Sequence, residues 1–377
     1  MQNIRMVDLK GQHESIKEEI KLEIDQVLNN TSFINGPVVN EFQKHLEKFN
    51  KVKHVIPCAN GTDALQIALM ALDLKPGDEV ITTDFTFIST IEVIALLRLK
   101  PVLVDIDINT FNLNTENIKR AITNKTKVIL PVHIFGQVSD MDEIMKIAKN
   151  NNIIVLEDNA QAIGAVYTNS NGKKVKSGAI GDISATSFFP SKNLGGYGDG
   201  GAIFTNNSLL EKKIRAIANH GMFKRYYHDY VGLNSRLDSI QAAILKVKLK
   251  YLDSYNEKRK KAAEIYNNFL KNRSDIIVPF IKGEIDSHVY HQYTIRVDSK
   301  ERDLLASFLQ NNKIPYGIYY PVPLHLQKAY AKNQFKNENF INTNKVVKEV
   351  ISLPMHTELT FDQIEYISNK IIEFLKK

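Results

Sequence analysis

Between Glu79 and Asp158 four short apolar runs alternate with three amphipathic ones, and that alternation limits the fold more than any other feature of the chain. Glu79–Thr83, Pro101–Asp105, Lys127–Val132 and Ile153–Asp158 read as strands; Ile88–Leu97, Thr115–Ile122 and Met141–Asn150 carry helical spacing. Strands apolar on both faces must be covered on both faces, so the pattern predicts right-handed βαβ units: an α/β fold with a mostly parallel central sheet flanked by helices. Ligands collect at the carboxyl ends of such strands. Thr83, Asp158 and Ser187 fall at predicted strand ends, and the helix start at Gly61 can face them.

Two helical stretches, Ser15–Leu28 and Val38–Phe49, precede this region, and an Asn-Gly-Pro turn at 35–37 lies between them. After it, apolar positions from Leu237 to Leu270 follow helical spacing for over thirty residues, which predicts one long connecting helix. With 377 residues the chain is too long for one typical core. We expect a large domain over 1–254 and a smaller C-terminal α/β domain over 255–377, the latter with a strand at Tyr290–Val297 and helices at Arg302–Asn311 and Phe361–Leu375.

The net charge is +7, but lysines are mixed with acids, as in Asn256–Lys261, so a solvated helix face explains them better than a nucleic-acid surface. No recognised nucleic-acid module appears. The longest apolar run, Ile91–Ile106, is broken by Glu92, Arg98, Lys100 and Asp105, so no membrane span is expected. The amino terminus lacks the apolar region of a secretion signal and the single cysteine, Cys58, cannot form an internal disulfide; both fit a cytoplasmic enzyme. No metal site is expected.

Chemistry is expected at Ser187–Gly201, where Lys192 lies between a strand-like run (Ile183–Phe189) and a glycine-rich loop. Burying an ammonium is costly without a partner or a job. A desolvated lysine loses its proton more readily and can form a Schiff base with a carbonyl cofactor; a surface lysine at a loop start is the plain alternative. Gly196-x-Gly198-x-x-Gly201 fits a dinucleotide fingerprint only in spelling, because a strand follows it where a helix is required. A Ser-x-x-Lys nucleophile fails, since Phe189 occupies the serine position.

An acid at the end of a buried strand wants a cation. Asp158 can meet either a protein cation, as a structural salt bridge, or the pyridinium nitrogen of pyridoxal 5'-phosphate (PLP) held by Lys192. The phosphate of such a cofactor needs a helix amino terminus and hydroxyls, which Gly61, Thr62 and Ser187 can supply. An aromatic from Phe85-Thr86-Phe87 can stack on the ring. At Gly61 an ordinary helix cap by Asn60 or Thr62 accounts for the same residues.

Eight ordered motifs carry a resemblance over essentially the whole chain: Ala59–Leu65, Thr86–Thr90, Val132–Gln137, Glu157–Gln161, Phe188–Leu194 with Gly198–Gly201, Gly232–Asp238, Tyr319–His325 and Ser352–His356. The sequence resembles the fold-type I, PLP-dependent nucleotide-sugar aminotransferases of the DegT/DnrJ/EryC1 family. The resemblance implies that Lys192 forms the Schiff base and then shuttles the proton. It implies that Asp158 pairs with the pyridine nitrogen, Gln161 binds the phenolic oxygen, and Phe87 stacks on the ring. Gly61, Thr62 and Ser187 would bind the phosphate, joined by Asn234 from the neighbouring subunit of a homodimer with shared active sites. Arg236, Tyr319 and Tyr320 would hold the sugar or the carboxylates of the donor, with interface packing and salt bridging the alternative. Glutamate, or glutamine, would supply the amino group.

Within the family the motifs look most like enzymes that aminate C3 of UDP-2-acetamido-3-keto-glucuronate, for surface glycans such as lipopolysaccharide. Relatives that aminate dTDP-linked 6-deoxy sugars share Asn234-Ser235-Arg236. The chain departs from the glucuronate enzymes at Tyr319-Tyr320-Pro321, where those tend to carry His-Tyr-Pro. Sugar dehydratases on this frame replace the lysine with histidine, and a non-catalytic regulatory protein would lose the lysine or the acid; Lys192 and Asp158 are both present.

Overall fold

A computed structural model describes residues 4–330, 335 and 339–376. Helices α1 (Leu9–Asn30) and α2 (Pro37–Asn50) lead into β1 (His54–Cys58) and α3 (Gly61–Ala71). The expected alternation follows as β2 (Glu79–Thr83), α4 (Ser89–Leu96), β3 (Lys100–Val104), α5 (Thr115–Ala121), β4 (Thr126–Leu130), α6 (Met141–Asn151) and β5 (Ile154–Asp158). A small hairpin, β6 (Val166–Thr168) and β7 (Lys174–Lys176), precedes β8 (Ile183–Ser187), β9 (Gly201–Thr205) and α7 (Ser208–Ala218). Then come the hairpin β10 (Met222–Lys224) and β11 (Tyr227–His228), α8 (Ser239–Leu249) and α9 (Leu252–Leu270). The chain finishes with β12 (Tyr293–Arg296), α10 (Arg302–Asn311), α11 (Ile341–Glu349), β13 (Val350–Leu353) and α12 (Phe361–Leu375).

The central sheet has the strand order β1-β9-β8-β5-β4-β2-β3. Strands β2 to β5 and β8 pair in parallel and β9 runs antiparallel to both its neighbours, so the sheet is mostly parallel, as the alternation predicts. Its inner strands are buried on both faces, which is why their sequences show no polar alternation. Parallel register aligns the carboxyl ends of β2, β4, β5 and β8, and the next residues of each open toward one edge. Below that edge Glu157 takes the N–H groups of Gly178, Ile180 and Gly181, and its Oε2 lies 2.9 Å from Nε2 of buried His133. This pair fixes the 178–181 loop that leads into β8.

A second core gathers α9, β12, α10, β13 and α12 around Tyr266, Tyr293, Leu305, Ile351 and Ile367. Ile4, from the start of the chain, packs into it, while Val346, Val347 and Val350 pack into the first core. The division proposed at 254/255 falls in the first turn of α9.

Two expectations need correction. The helix read over Leu237–Leu270 is two helices, broken at Lys250–Tyr251. Tyr251 bonds Glu19 of α1 and stacks on Tyr255; α8 is buried on most of its faces against α1 and α2 while α9 buries a stripe against α12, so buried apolar positions run on through the break. The strand read to Phe189 ends at Ser187, because Phe189 turns away from the sheet: its N–H donates to Ser187 Oγ (3.3 Å) and its carbonyl accepts from Lys192 N (2.8 Å). Among the described residues no helix is long and apolar enough to cross a membrane.

Candidate active site

A cleft of about 630 Å³ opens over the carboxyl ends of the sheet strands. Lys192, Asp158, Gln161, Ser187, Gly61, Thr62, Phe87, Tyr319 and Tyr320 all line it. Nine of the eleven residues singled out in the sequence therefore meet in one place.

Asp158 closes β5 and is 5% exposed. Its Oδ2 accepts from Thr90 Oγ1 at 3.0 Å and its Oδ1 from Ala160 N at 3.1 Å. Burial pushes its pKa above the ordinary carboxylate value, against those bonds and the charge of Lys192. Among the described residues no cation is in bonding contact with the carboxyl, and it faces a cleft that can accept one.

Lys192 stands on the loop after β8, and that loop is held from several sides. Asn193 Nδ2 donates to Asn256 Oδ1 (2.7 Å) and Val289 O (3.1 Å), and Tyr197 N donates to Gln241 Oε1 (2.8 Å). A Cβ on Gly196 would come within 2.8 Å of that same Gln241 oxygen, so glycine lets the loop close on α8. Lys192 retains some exposed surface because it faces the cleft, yet protein surrounds it deeply enough that desolvation pushes its pKa down to about 8, with Asp158 opposing the shift.

Gln161 is oriented at both ends. Phe135, held at φ 57, donates its N–H to Gln161 Oε1 (2.7 Å), and Gln161 Nε2 donates to the Tyr320 hydroxyl (3.2 Å). Phe87 is 54% exposed on the wall of the cleft, its ring 6.3 Å from that of Tyr320. The amino terminus of α3 is capped by Asn60, whose side chain accepts from Asp63 N (2.8 Å), so Asn60 rather than Thr62 is the cap. Thr62 Oγ1 lies 2.8 Å from Ser89 Oγ. A Cβ on Gly61 would sit 2.6 Å from that of Ser187, so only glycine lets the first turn of α3 reach the end of β8. Free N–H groups and two hydroxyls there form an anion cradle.

The structure does not bring Asn234 or Arg236 to this cleft. Arg236 Nη2 donates to Asn234 Oδ1 (2.6 Å) at the surface, after a β10–β11 hairpin whose Phe223, Tyr226, Tyr227 and neighbouring Val231 are exposed. Sequence reasoning also missed Thr90, Ser191, Asp199, His291 and Gln292, which line the cleft. Thr90 sits inside a quoted motif, but nothing in its spacing told that its hydroxyl meets Asp158. His291 arrives from 130 residues beyond Gln161, on the segment between α9 and β12.

The fit to PLP rests on these features together: a desolvated carboxyl without a cation, a lysine of lowered pKa, a two-handed amide and a cradle that a Cβ would fill.

The DegT/DnrJ/EryC1/StrS aminotransferase family profile matches residues 14–372. A "pleiotropic regulatory protein" of Geobacillus stearothermophilus is 46% identical over 377 residues, covering 99% of each chain. The UDP-2-acetamido-2-deoxy-3-oxo-D-glucuronate aminotransferase of Pseudomonas aeruginosa is 45% identical over 364 residues, covering 97% of this chain and 98% of that one. Among solved structures, NtdA from Bacillus subtilis with bound cofactor PMP superposes with a TM-score of 0.89 at 32% identity, covering 96% of this chain and 82% of that one.

Proposed function

The chain belongs to the DegT/DnrJ/EryC1/StrS aminotransferase family, and on that premise we propose that it moves an amino group from glutamate to C3 of a UDP-linked 3-keto sugar, using PLP. The observation that carries this reading is Lys192, its pKa lowered by burial, in one cleft with the buried carboxyl of Asp158. The 45% identity to a glucuronate 3-aminotransferase along nearly the whole chain supports the sugar class. A dTDP-sugar transaminase of Aneurinibacillus thermoaerophilus at 39% identity marks the second reading, a dTDP-linked keto-6-deoxy sugar.

In this proposal Asp158 holds the pyridine nitrogen, Gln161 the phenolic oxygen, and Phe87 one face of the ring. Gly61, Thr62 and Ser187 take the phosphate. Bound there, PLP supplies an electron sink for the pair left when a proton departs from the carbon bearing the amine. Lys192 Nζ, once free, is the base that takes that proton and returns it, and a pKa near 8 suits an amine that must work in both directions near neutral pH. Tyr319 and Tyr320 face the substrate side. Asn159, buried with its Nδ2 on Ser177 O (3.3 Å), is structural.

We further propose a homodimer with shared sites, in which Asn234 and Arg236 serve the neighbour's cleft. Their exposed position outside their own cleft and the uncovered aromatic hairpin beside them support it. A cytoplasmic role in building a surface glycan, such as lipopolysaccharide, completes the proposal. A purely regulatory protein, the reading suggested by the name of the Geobacillus relative, has no use for the arrangement of Lys192 and Asp158.

The experiment is donor-dependent conversion of a panel of 3-keto and 4-keto UDP- and dTDP-sugars by the PLP-loaded protein. The 3-amino UDP sugar is the expected product. A C4 product overturns the position but spares the family, and conversion of dTDP sugars alone overturns the nucleotide.

A further inference from the structure

Behind the loop that carries Lys192, two cations are buried without an anion bonded to them among the described residues. Lys248, near the end of α8, is 1% exposed, and Arg259, in α9, is 3% exposed. Lys248 makes no hydrogen bond or ion pair with the described residues; its Nζ lies 5.4 Å from the centre of the Tyr197 ring. Arg259 directs Nη1 at three backbone carbonyls, those of Tyr290 (3.1 Å), His291 (3.3 Å) and Met355 (3.0 Å), while its Nε is buried with no partner. Two more polar atoms nearby are buried and unpartnered: the hydroxyl of Tyr255, one turn before Arg259, and Nε2 of His356, next to Met355.

All four groups can donate a hydrogen bond: an ammonium, a guanidinium N–H, a phenol and an imidazole N–H. The carboxylates that approach this region are already engaged. Asp8 accepts from Arg5 (3.0 Å) and Gly11 N (3.1 Å), Glu358 from Thr357 Oγ1 (3.0 Å), and Glu19 from Lys250 (3.0 Å) and Tyr251. A buried charge left alone is strongly destabilising, and two like charges together are more so. Desolvation and the neighbouring Arg259 push Lys248 down to about 8, and burial lowers Arg259 to about 10. A neutral Lys248 would relieve part of this cost, but the guanidinium and its orphaned N–H would remain.

We propose that Lys248, Tyr255, Arg259 and His356 form a binding site for one small inorganic anion of chloride size. Two of these four groups are buried cations and no carboxylate among the described residues bonds to either, which favours an anion over water. An anion there would tie the α8–α9 junction to the 355–358 segment, with the Tyr197 ring of the Lys192 loop as a wall. It would also neutralise charge that reaches His291 in the cleft.

The test is a crystal of the full chain grown or soaked in sodium bromide, with an anomalous difference map at the bromine edge. A peak bonded to Lys248 Nζ and Arg259 Nε is expected, and it should be absent in Lys248→Met. A map with bromine elsewhere but water density at this place overturns the proposal, as does a carboxylate of a second copy filling it. The companion measurement is the thermal midpoint at fixed ionic strength, which should rise by a few degrees in chloride or bromide over gluconate. Equal midpoints in all three salts contradict the site; if Lys248→Met does not fold, the wild-type map and midpoints decide alone.

Discussion

Thr90 Oγ1 donates to Asp158 Oδ2 across 3.0 Å, so one oxygen of the only carboxyl proposed to meet the cofactor is fixed from the side of α4. Without it, only the bond from Ala160 N to Oδ1 (3.1 Å) would hold the carboxyl. Replacing Thr90 by Val removes the donor and keeps the shape. A buried bond to a charged group contributes about 1.5–3 kcal/mol, so T90V should release PLP roughly ten- to a hundredfold more readily, and T90S should restore binding. Equilibrium titration of the apo protein with PLP, followed by cofactor absorbance, checks this.

Gly61 leads to a second expectation. A methyl at this position would collide with the Cβ of Ser187 at 2.6 Å, and the first turn of α3 would move off the end of β8. Overpacking of this kind costs about 1–3 kcal/mol. G61A should therefore weaken phosphate-dependent binding: PLP affinity should fall far more than affinity for pyridoxal, which lacks the phosphate.

The lowered pKa of Lys192 sets a pH signature in the cofactor-free protein. A group whose folded pKa is about 8 and whose unfolded pKa is near 10.4 binds more protons unfolded between those values, so stability rises with pH across that window. K192M should flatten that rise. Acylation of Lys192, located by mass spectrometry, should show a midpoint near 8, about two units below that of exposed lysines. A midpoint at the ordinary lysine value contradicts the desolvation argument.

Asn234 and Lys192 offer a test of shared sites. If each Asn234 serves the neighbouring cleft, K192A and N234A homodimers are each impaired, and their hybrids carry one intact site. Random exchange puts half the dimers in the hybrid form, so mixing should recover about a quarter of wild-type activity. Recovery no greater than the sum of the separate variants would place Asn234 in its own chain's site or in none.

The alternation from Glu79 to Asp158 was fully legible because buried parallel strands and covering helices differ in both period and length. Lys192, Asp158 and Gly61 were legible because each breaks a local rule: a cation beside an apolar run, an acid at a buried strand end, a glycine at a helix start. The break at Tyr251 was hidden, since α8 is buried on most of its faces and supplies apolar residues at any helical spacing that α9 continues. His291 and Thr90 were hidden for a different reason. Their work lies in contacts between segments far apart in sequence, and a hydroxyl in an apolar helix start looks the same whether it meets Asp158 or a backbone carbonyl. Arg259 was hidden because Asn256–Lys261 reads as a solvated face, and Lys248 because it follows apolar positions of the Leu237–Leu270 pattern; charge counts do not tell which charges face inward.

The central claim, that Lys192 transfers an amino group through bound PLP, is tested most directly by adding L-glutamate to the PLP-loaded protein without any sugar. The account predicts loss of the visible cofactor absorbance together with one 2-oxoglutarate per cofactor, and neither change in K192A. No 2-oxoglutarate from the wild-type protein, tried also with glutamine as donor, or an undiminished yield from K192A, would contradict it.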